Sequence, residues 1–182
     1  MTELEAINSM RKDSSEPPVS TLINDGTNDT DLAQQILKAK RIEYLDEGKY
    51  FNVSTKTLYP DDNGNILLAS TTLNVDAVDH TRNVTPTGTR LYDLDNNTDV
   101  FTKEIKVIIT SDMAFELIPH AWQRAIVAEA SRDYQMLTAG DPAVDNYLAE
   151  QELKAKARAR KAEASQRDSS WLDGTNNNTS NS

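Results

Sequence analysis

Two histidines are the first side chains in this sequence that could do acid–base or metal chemistry. His80 and His120 lie forty residues apart, and the second follows Pro119 at a predicted helix start, where a half-exposed histidine is ordinary. The zinc patterns H-x-x-x-H and H-E-x-x-H and the hydrolase pattern G-x-S-x-G do not occur. We therefore expect structural roles for both histidines, and the sequence does not predict an enzyme.

The segment DDNGN (61–65) resembles the start of a calcium-binding loop. Such a loop needs an acidic residue at its twelfth position, and that position is Thr72 here. The Asn-Gly step is a strong signal for a tight hairpin turn. We expect a turn at this place, and no metal or cofactor.

The composition narrows the function classes further. The chain has 182 residues, a net charge of −10 and no cysteine, so disulfides, thiolate zinc sites and cysteine nucleophiles are excluded. The acidic balance disfavours a surface that grips phosphates, because DNA affinity comes largely from Lys and Arg. No apolar run approaches the ~18 residues of a membrane span, and the first residues lack the apolar segment of a signal peptide. We expect a soluble protein made in a cytosol, with no membrane partner.

One basic run departs from this acidity, and it consists of Lys154, Lys156, Arg158, Arg160 and Lys161. These residues are distributed around a predicted helix instead of lying on one face. The run is compatible with a solvated projecting helix, with contact to an acidic protein surface, and with nucleic-acid binding. The sequence leaves these three interpretations open.

The N-terminal part of the chain is predicted to be helical. Thr2 and Glu5 form a T-x-x-E capping box, and apolar residues follow at helical spacing. That helix should end in KDSSEPPVS (12–20), which is rich in turn residues and proline. A second helix is expected after the polar segment 24–30, with Gly48 as its C-terminal stop.

The middle of the chain has strand character. Strand composition occurs at Tyr50–Ser54 and Asn65–Ser70, and apolar residues alternate with polar ones in 73–77 and 105–109. Hairpins are predicted at PDDNGN (60–65) and at LYDLDNNTDVF (91–101), the second with Asp95 to Thr98 at its tip. Together these features predict a small antiparallel β-unit.

Helix returns near Asp112. A short helical piece should lead through Pro119 into a helix whose apolar stripe is Trp122, Ile126, Val127, Ala130, Tyr134 and Leu137. A last helix from 142 to 165 would be ~36 Å long. Its second half has only alanines as apolar residues, so we expect it to project.

These elements predict an α+β fold: a discontinuous helical bundle made from both chain ends, an inserted small antiparallel β-unit, a long projecting C-terminal helix and a flexible tail. The expected boundaries are 1–49 and 111–167 for the helical domain, 50–110 for the β-insertion and 168–182 for the tail. The tail is polar except for Trp171 and Leu172, which have nothing local to pack against.

Several segments, taken in order, resemble the tail tubular protein A family, the head–tail adaptors of T7-like short-tailed phages. The resemblance covers nearly the whole chain and is carried by ELEAINSM…EPPVSTL, EGKYFN, LYPDDNGNI, LYDLDNNTDVF, FELIPHAWQRAIVAEASRDY and WLDG. Each piece alone is weak, but their ordered series is fairly specific.

The resemblance implies a structural virion protein of the tail, assembled in the bacterial host cytoplasm. Relatives form a twelvefold ring under the portal that attaches the tail nozzle (tail tubular protein B) and the tail fibre, and DNA passes through the ring without specific binding. Residues expected to contact the portal are Lys154, Lys156, Arg158, Arg160, Trp171 and Leu172. Residues expected to contact nozzle or fibre are Asp61, Asp62, Asn63, Asp95 and Asn96.

Two other function classes are compatible with the residues themselves. A non-enzymatic scaffolding or regulatory protein with a helical core would be a stable monomer or dimer that never forms rings. A nucleic-acid-processing factor would bind DNA through the basic run, and its affinity would fall with salt.

Overall fold

The computed structural model of this chain describes residues 1–22 and 28–175, with side chains for 1–22 and 29–166. The helices are α1 (Glu3–Asp13), α2 (Asn28–Asp46), α3 (His120–Thr138) and α4 (Pro142–Thr175), and a 3₁₀ turn spans Phe115–Leu117. The strands are β1 (Val53–Leu58), β2 (Thr72–Ala77), β3 (Val84–Thr87), β4 (Arg90–Asp93) and β5 (Ile105–Ser111). The predicted α+β class, with helices at both ends of the chain, is confirmed.

The chain divides into two compact units. The helical unit consists of Met1–Arg41 together with the chain from Phe115 onwards, and the β-unit is Ile42–Ala114. Each unit has a hydrophobic core of its own.

Helix α1 begins at the predicted capping box. The Glu5 amide donates to Thr2 Oγ1 over 3.2 Å, and the Thr2 amide donates to the Glu5 carboxylate over 2.8 Å. The helix buries Ala6, Ile7 and Met10 in the core of the helical unit. It ends within the predicted polar segment, where Ser15 has a left-handed φ of 61°.

A buried arginine holds the connection that follows α1. Arg11 pairs with Glu16 at 3.2 Å, and its Nε donates to the Pro17 carbonyl over 2.9 Å. Its guanidinium also donates to Thr30 Oγ1 over 3.3 Å, and the Tyr134 hydroxyl donates to Glu16 over 2.7 Å. Burial, followed by the bond to Glu16, raises the pKa of Tyr134. Because the buried cation has several oxygen partners, it can be held away from water without an unpaired charge.

Helix α3 has the buried stripe that its spacing predicts, with one exception. Trp122, Ile126, Ala130 and Tyr134 are buried, but Leu137 is 67% exposed. The prediction for Leu137 is wrong because this residue lies in the last turn of α3, just before the chain reverses through residue 140. The predicted proline entrance is also shifted by one residue, since Pro119 is the N-cap and α3 starts at the next position.

A continuous series of ion pairs joins α2, α3 and α4, and we call it the charge ladder. Its members, in order of contact, are Asp133, Lys40, Glu129, Lys156, Glu152, Arg132 and Asp145. Three cations thus alternate with four carboxylates, and each cation is shared between two of them.

The centre of the ladder is the ammonium of Lys156. It lies 2.7 Å from Glu129 on α3 and 2.5 Å from Glu152 on α4, and both carboxylates are mostly buried. Burial alone would lower the pKa of Lys156, but its hydrogen bonds to Glu129 and Glu152 raise it overall. The lysine therefore stays charged and links the two helices.

Helix α4 packs against the helical unit over a longer stretch than its few apolar residues predict, through the charge ladder and one buried alanine. Leu148 is buried as expected, but Ala159 is also 0% exposed. The helix therefore has core contacts well into its alanine-rich half. It contains 34 residues against 19 in α3, or ~51 Å against ~28 Å. Projection of its remaining part stays a prediction, and the side chains of Trp171 and Leu172 and all of residues 176–182 lie outside the described part.

The β-unit is built on its last strand. β5 lies between β1 and β2 and is antiparallel to both, while β3 and β4 form a separate hairpin. The predicted alternation in β2 and β5 is confirmed, since Val75, Ile105, Val107 and Ile109 all face one core. The last strand in sequence is therefore the central strand of the three-stranded sheet.

Two predicted strands differ from the structure. Tyr50–Ser54 becomes strand only at Val53, because Asn52 forms a turn: its side chain donates to the carbonyls of Leu45 and Ser111 over 2.8 and 2.9 Å. Asn65–Ser70 makes only isolated bridges, among them Asn65 with Val100. Asn52 bonds to Ser111 and Asn65 pairs with Val100, so both segments take their conformation from residues far away in sequence.

The two predicted hairpins have different outcomes. Residues 60–65 do form a turn, closed by the Asp61 amide on the Asn65 carbonyl at 2.8 Å, but the flanking strand β1 pairs with β5. In the second, the backbones of Asp93 and Thr98 exchange hydrogen bonds of 2.8 and 3.2 Å. The turn forms, but Thr98, which was predicted to lie in the tip, is the residue that closes it. The β3–β4 hairpin with Gly88 in its loop was not predicted.

The first testable consequence concerns the charge ladder. Replacing Lys156 with Gln leaves Glu129 and Glu152 without their shared cation, so we expect the free energy of unfolding to fall by about 1–3 kcal/mol. Lys154→Gln is the matched control, because Lys154 pairs with Glu150 at the exposed surface; we expect it to leave unfolding unchanged. Urea unfolding of both variants measures the difference, and equal losses would contradict a special role for Lys156.

The second consequence concerns two glycines with positive φ. A Cβ on Gly64 (φ 82°) would lie 2.7 Å from a Val100 methyl and 3.2 Å from the Phe101 carbonyl, whereas one on Gly88 (φ 61°) would meet nothing within 4 Å. Gly88→Ala should cost only the left-handed strain of about 1–2 kcal/mol. Gly64→Ala should cost a further 1–3 kcal/mol, roughly, for the overlap. Denaturant unfolding ranks the two, and a smaller loss for Gly64→Ala would contradict this packing.

Candidate interaction surfaces

The basic run on α4 is divided by the fold. Lys156 lies inside the charge ladder, and Lys154 bonds to Glu150 over 2.6 Å at the surface. Arg158, Arg160 and Lys161 are exposed. The structure therefore commits Lys156 to internal packing and leaves Lys154, Arg158 and Arg160 exposed on α4.

A groove of about 440 Å³ lies between α1, α3 and α4 in the helical unit. Its apolar lining includes Tyr147 and Leu148, and Arg124, Lys154 and Arg158 are among its polar residues. Three cations against one carboxylate, that of Asp13, beside apolar side chains suit an acidic, partly apolar protein segment better than a small neutral ligand. The sequence did not show this groove, because its cations come from two helices.

The lining of the groove includes His120, whose ring Nδ1 is 3.5 Å from the Gln123 side-chain oxygen. Among the described residues, no group of three or more His, Asp or Glu side chains could hold a metal ion.

The first turn predicted to contact nozzle or fibre uses one of its acids internally. Asp61 accepts the backbone amides of Asn63 and Asn65 over 2.9 and 2.8 Å. Its carboxylate therefore builds the turn, as short Asp side chains commonly do. Asp62 and the side chain of Asn63 are exposed at the tip.

The second predicted turn is held by a network of the same kind. Asp93 is 3% exposed and accepts the amide and side-chain nitrogen of Asn96 over 2.9 and 3.0 Å. These two hydrogen bonds, followed by the Arg82 guanidinium, hold the pKa of Asp93 below its usual value. Asp95 accepts two hydrogen bonds from Asn83. Asp95 and Asn96 are thus exposed residues that also fix the shape of the tip.

The fold brings the two turns together on one segment. The Phe101 amide donates to the Gly64 carbonyl over 2.7 Å, and Thr98, three residues earlier, pairs across the second tip. Four exposed apolar side chains lie in the adjoining segments: Tyr59, Leu67, Leu94 and Val100. We call the two turns with these four side chains the turn surface. Exposed apolar side chains beside exposed polar ones are a composition that protein-binding surfaces share.

The helices in the described part of the chain do not combine the length and apolarity needed to cross a bilayer.

Comparison with known proteins agrees with surfaces of this kind. The family model described as tail tubular protein matches residues 4–169, which takes in every described strand and most of the helical unit. No curated protein matches the chain. The chain belongs to the tail tubular protein family of podoviruses, and it is a structural component of the virion tail.

Proposed function

We propose that this protein is the head–tail adaptor of its phage. In this role it forms a ring, expected to be twelvefold, beneath the portal, attaches the tail nozzle and the fibre, and surrounds the channel through which DNA leaves. The observation that supports the proposal most is the family match over residues 4–169. The placement of the exposed polar and apolar groups on open surfaces fits a protein that assembles and has no turnover.

The portal contact is assigned to the outer side of α4 and the groove beside it. Lys154, Arg158 and Arg160 would meet acidic side chains of the portal, while Lys156 keeps α4 in place through the charge ladder. Trp171 and Leu172 would insert into a portal pocket. Each such anchor contributes roughly 2–3 kcal/mol by area, and repetition around a ring makes weak contacts act together.

The nozzle and fibre contacts are assigned to the turn surface of the β-unit. Asp62 and Asn63 would contribute polar contacts directly, while Asp61, Asp95 and Asn96 would contribute through the turn shapes they fix. The neighbouring exposed apolar side chains would supply the buried centre of the interface.

The charge of the chain suits a channel wall. A net charge of −10 for each subunit gives passing DNA little to bind, since phosphate affinity depends on basic groups and the release of their counterions. The exposed arginines of α4 are accordingly assigned to a protein partner.

The anchor residues give a direct test. We expect mass photometry of portal rings mixed with this protein to show a portal-plus-ring species. Trp171→Ala with Leu172→Ala should remove that species at nanomolar concentration, because each subunit loses both apolar anchors.

Deletion of 176–182 is the matched control, since it shortens the tail and retains both anchors, and we expect it to bind normally. An unchanged portal mass with the wild-type protein would refute the adaptor proposal. Normal binding by the double variant would leave the adaptor role intact and refute only the role of the anchors.

The exposed arginines give a separate test. Arg158→Glu with Arg160→Glu should weaken portal binding, and the remaining affinity should depend less on salt, because attractive charge pairs are replaced by repulsive ones. Lys38→Glu with Lys103→Glu changes the net charge equally at other exposed positions and serves as the control. A sodium chloride titration of both pairs measures the effect, and equal weakening would show that only net charge matters.

A further inference from the structure

Strand β1 is unusual because it is exposed on both faces. The residues from Val53 to Thr57 are all exposed, and Leu58 is partly buried. Leu58, Lys56 and Ser54 lie opposite the buried Ile105, Val107 and Ile109, and opposite residues share a face of the sheet. The core therefore covers β5 and reaches β1 only at Leu58, at one end of the strand.

The outer edge of β1 also has unpaired backbone groups. The Ser111 amide donates to the Asn52 carbonyl over 3.0 Å, so Asn52 and Ser111 form a hydrogen-bonded pair. In an antiparallel ladder such pairs alternate with non-bonded ones, and the alternation directs the N–H and C=O groups of Val53, Thr55 and Thr57 away from β5. Among the described residues these groups have no hydrogen-bond partner.

The charged side chains of β1 and β5 are both basic. Lys56 on one face and Lys106 on the other are both exposed, and neither has an ion-pair partner within the described part of the chain. This is notable in a chain with 29 acidic and 19 basic residues. A second copy of β1, paired symmetrically about Thr55, would place two Lys56 side chains diagonally on one face. That like-charge contact disfavours self-pairing.

We propose that the free edge of β1 accepts an extended, acidic segment of another tail protein as an added strand. The six backbone groups of Val53, Thr55 and Thr57 would supply the hydrogen bonds, and Lys56 and Lys106 would pair with carboxylates on the two faces of the added strand. Edge lysines also prevent unwanted strand pairing, so in this arrangement they select an acidic partner over a copy of the same chain. The inference rests on incorporation of the chain into the tail.

Hydrogen exchange of the free protein and of purified tails tests this proposal. In the free protein we expect the amides of Ser54, Lys56 and Leu58 to be protected and those of Val53, Thr55 and Thr57 to exchange rapidly. In tails, all six should be protected, with the outer three slowed at least about tenfold. If the outer amides exchange equally fast in tails that contain the chain, the inference is wrong and the adaptor role stands. If purified tails lack the chain, both are wrong.

Edge variants separate strand addition from simple shielding. Thr55→Pro removes one outward N–H at a position where an edge strand tolerates proline, and Thr55→Val keeps it. We expect the proline variant to melt like the valine variant as free protein but to enter tails at a tenth of its level or less, roughly, through loss of the central bond. Equal incorporation would overturn the proposal. Lys56→Glu with Lys106→Glu should likewise reduce incorporation relative to the double Gln variant, and equal levels would rule out an acidic partner.

Discussion

The charge ladder between α2, α3 and α4 is the interaction on which the helical unit depends. The second half of α4 has too few apolar side chains to bind α3 by burial alone, and Lys156 supplies the missing connection by sharing its charge between Glu129 and Glu152. Arg132 extends the same connection towards the start of α4 through Asp145 at 2.6 Å. Because breaking a buried pair leaves an uncompensated charge, the ladder fixes the position of α4. The exposed arginines of that helix and the groove beside it depend on this position.

The β-unit follows a different constraint. β5 lies between β1 and β2 and bonds to both. The three-stranded sheet therefore cannot form until this last strand of the unit is in place. Its core covers β2 and β5 and reaches β1 only at Leu58, and the same chain segment that leads into β5 also joins the two acidic turns. A sheet with one uncovered edge strand is costly in a protein that works alone, because it invites association. For a tail protein that must bind its neighbours, such an edge is a usable surface.

Local signals predicted the parts of the fold that local interactions decide. The capping box of Thr2, the alternation in β2 and β5 and the tip between Asp93 and Thr98 were all readable from short stretches. The pairing of β1 with β5 was not, because it joins Val53 to Thr110 across a segment with its own turn signals. Of the site residues, Asp62 and Asn63 are exposed as a tip residue should be. The internal use of Lys156, Asp61 and Asn96 could not be predicted, since their partners depend on packing or on backbone conformation.

The surfaces offered for assembly are α4 with its groove in the helical unit, and the turn surface with the β1 edge in the β-unit. Electron cryomicroscopy of the intact virion would show whether these surfaces serve the proposed adaptor role. We predict a ring of this chain between portal and nozzle, with the exposed side of α4 against the portal and the turn surface against nozzle or fibre. Density that places the chain elsewhere in the particle, or that leaves both surfaces in solvent, would contradict the account.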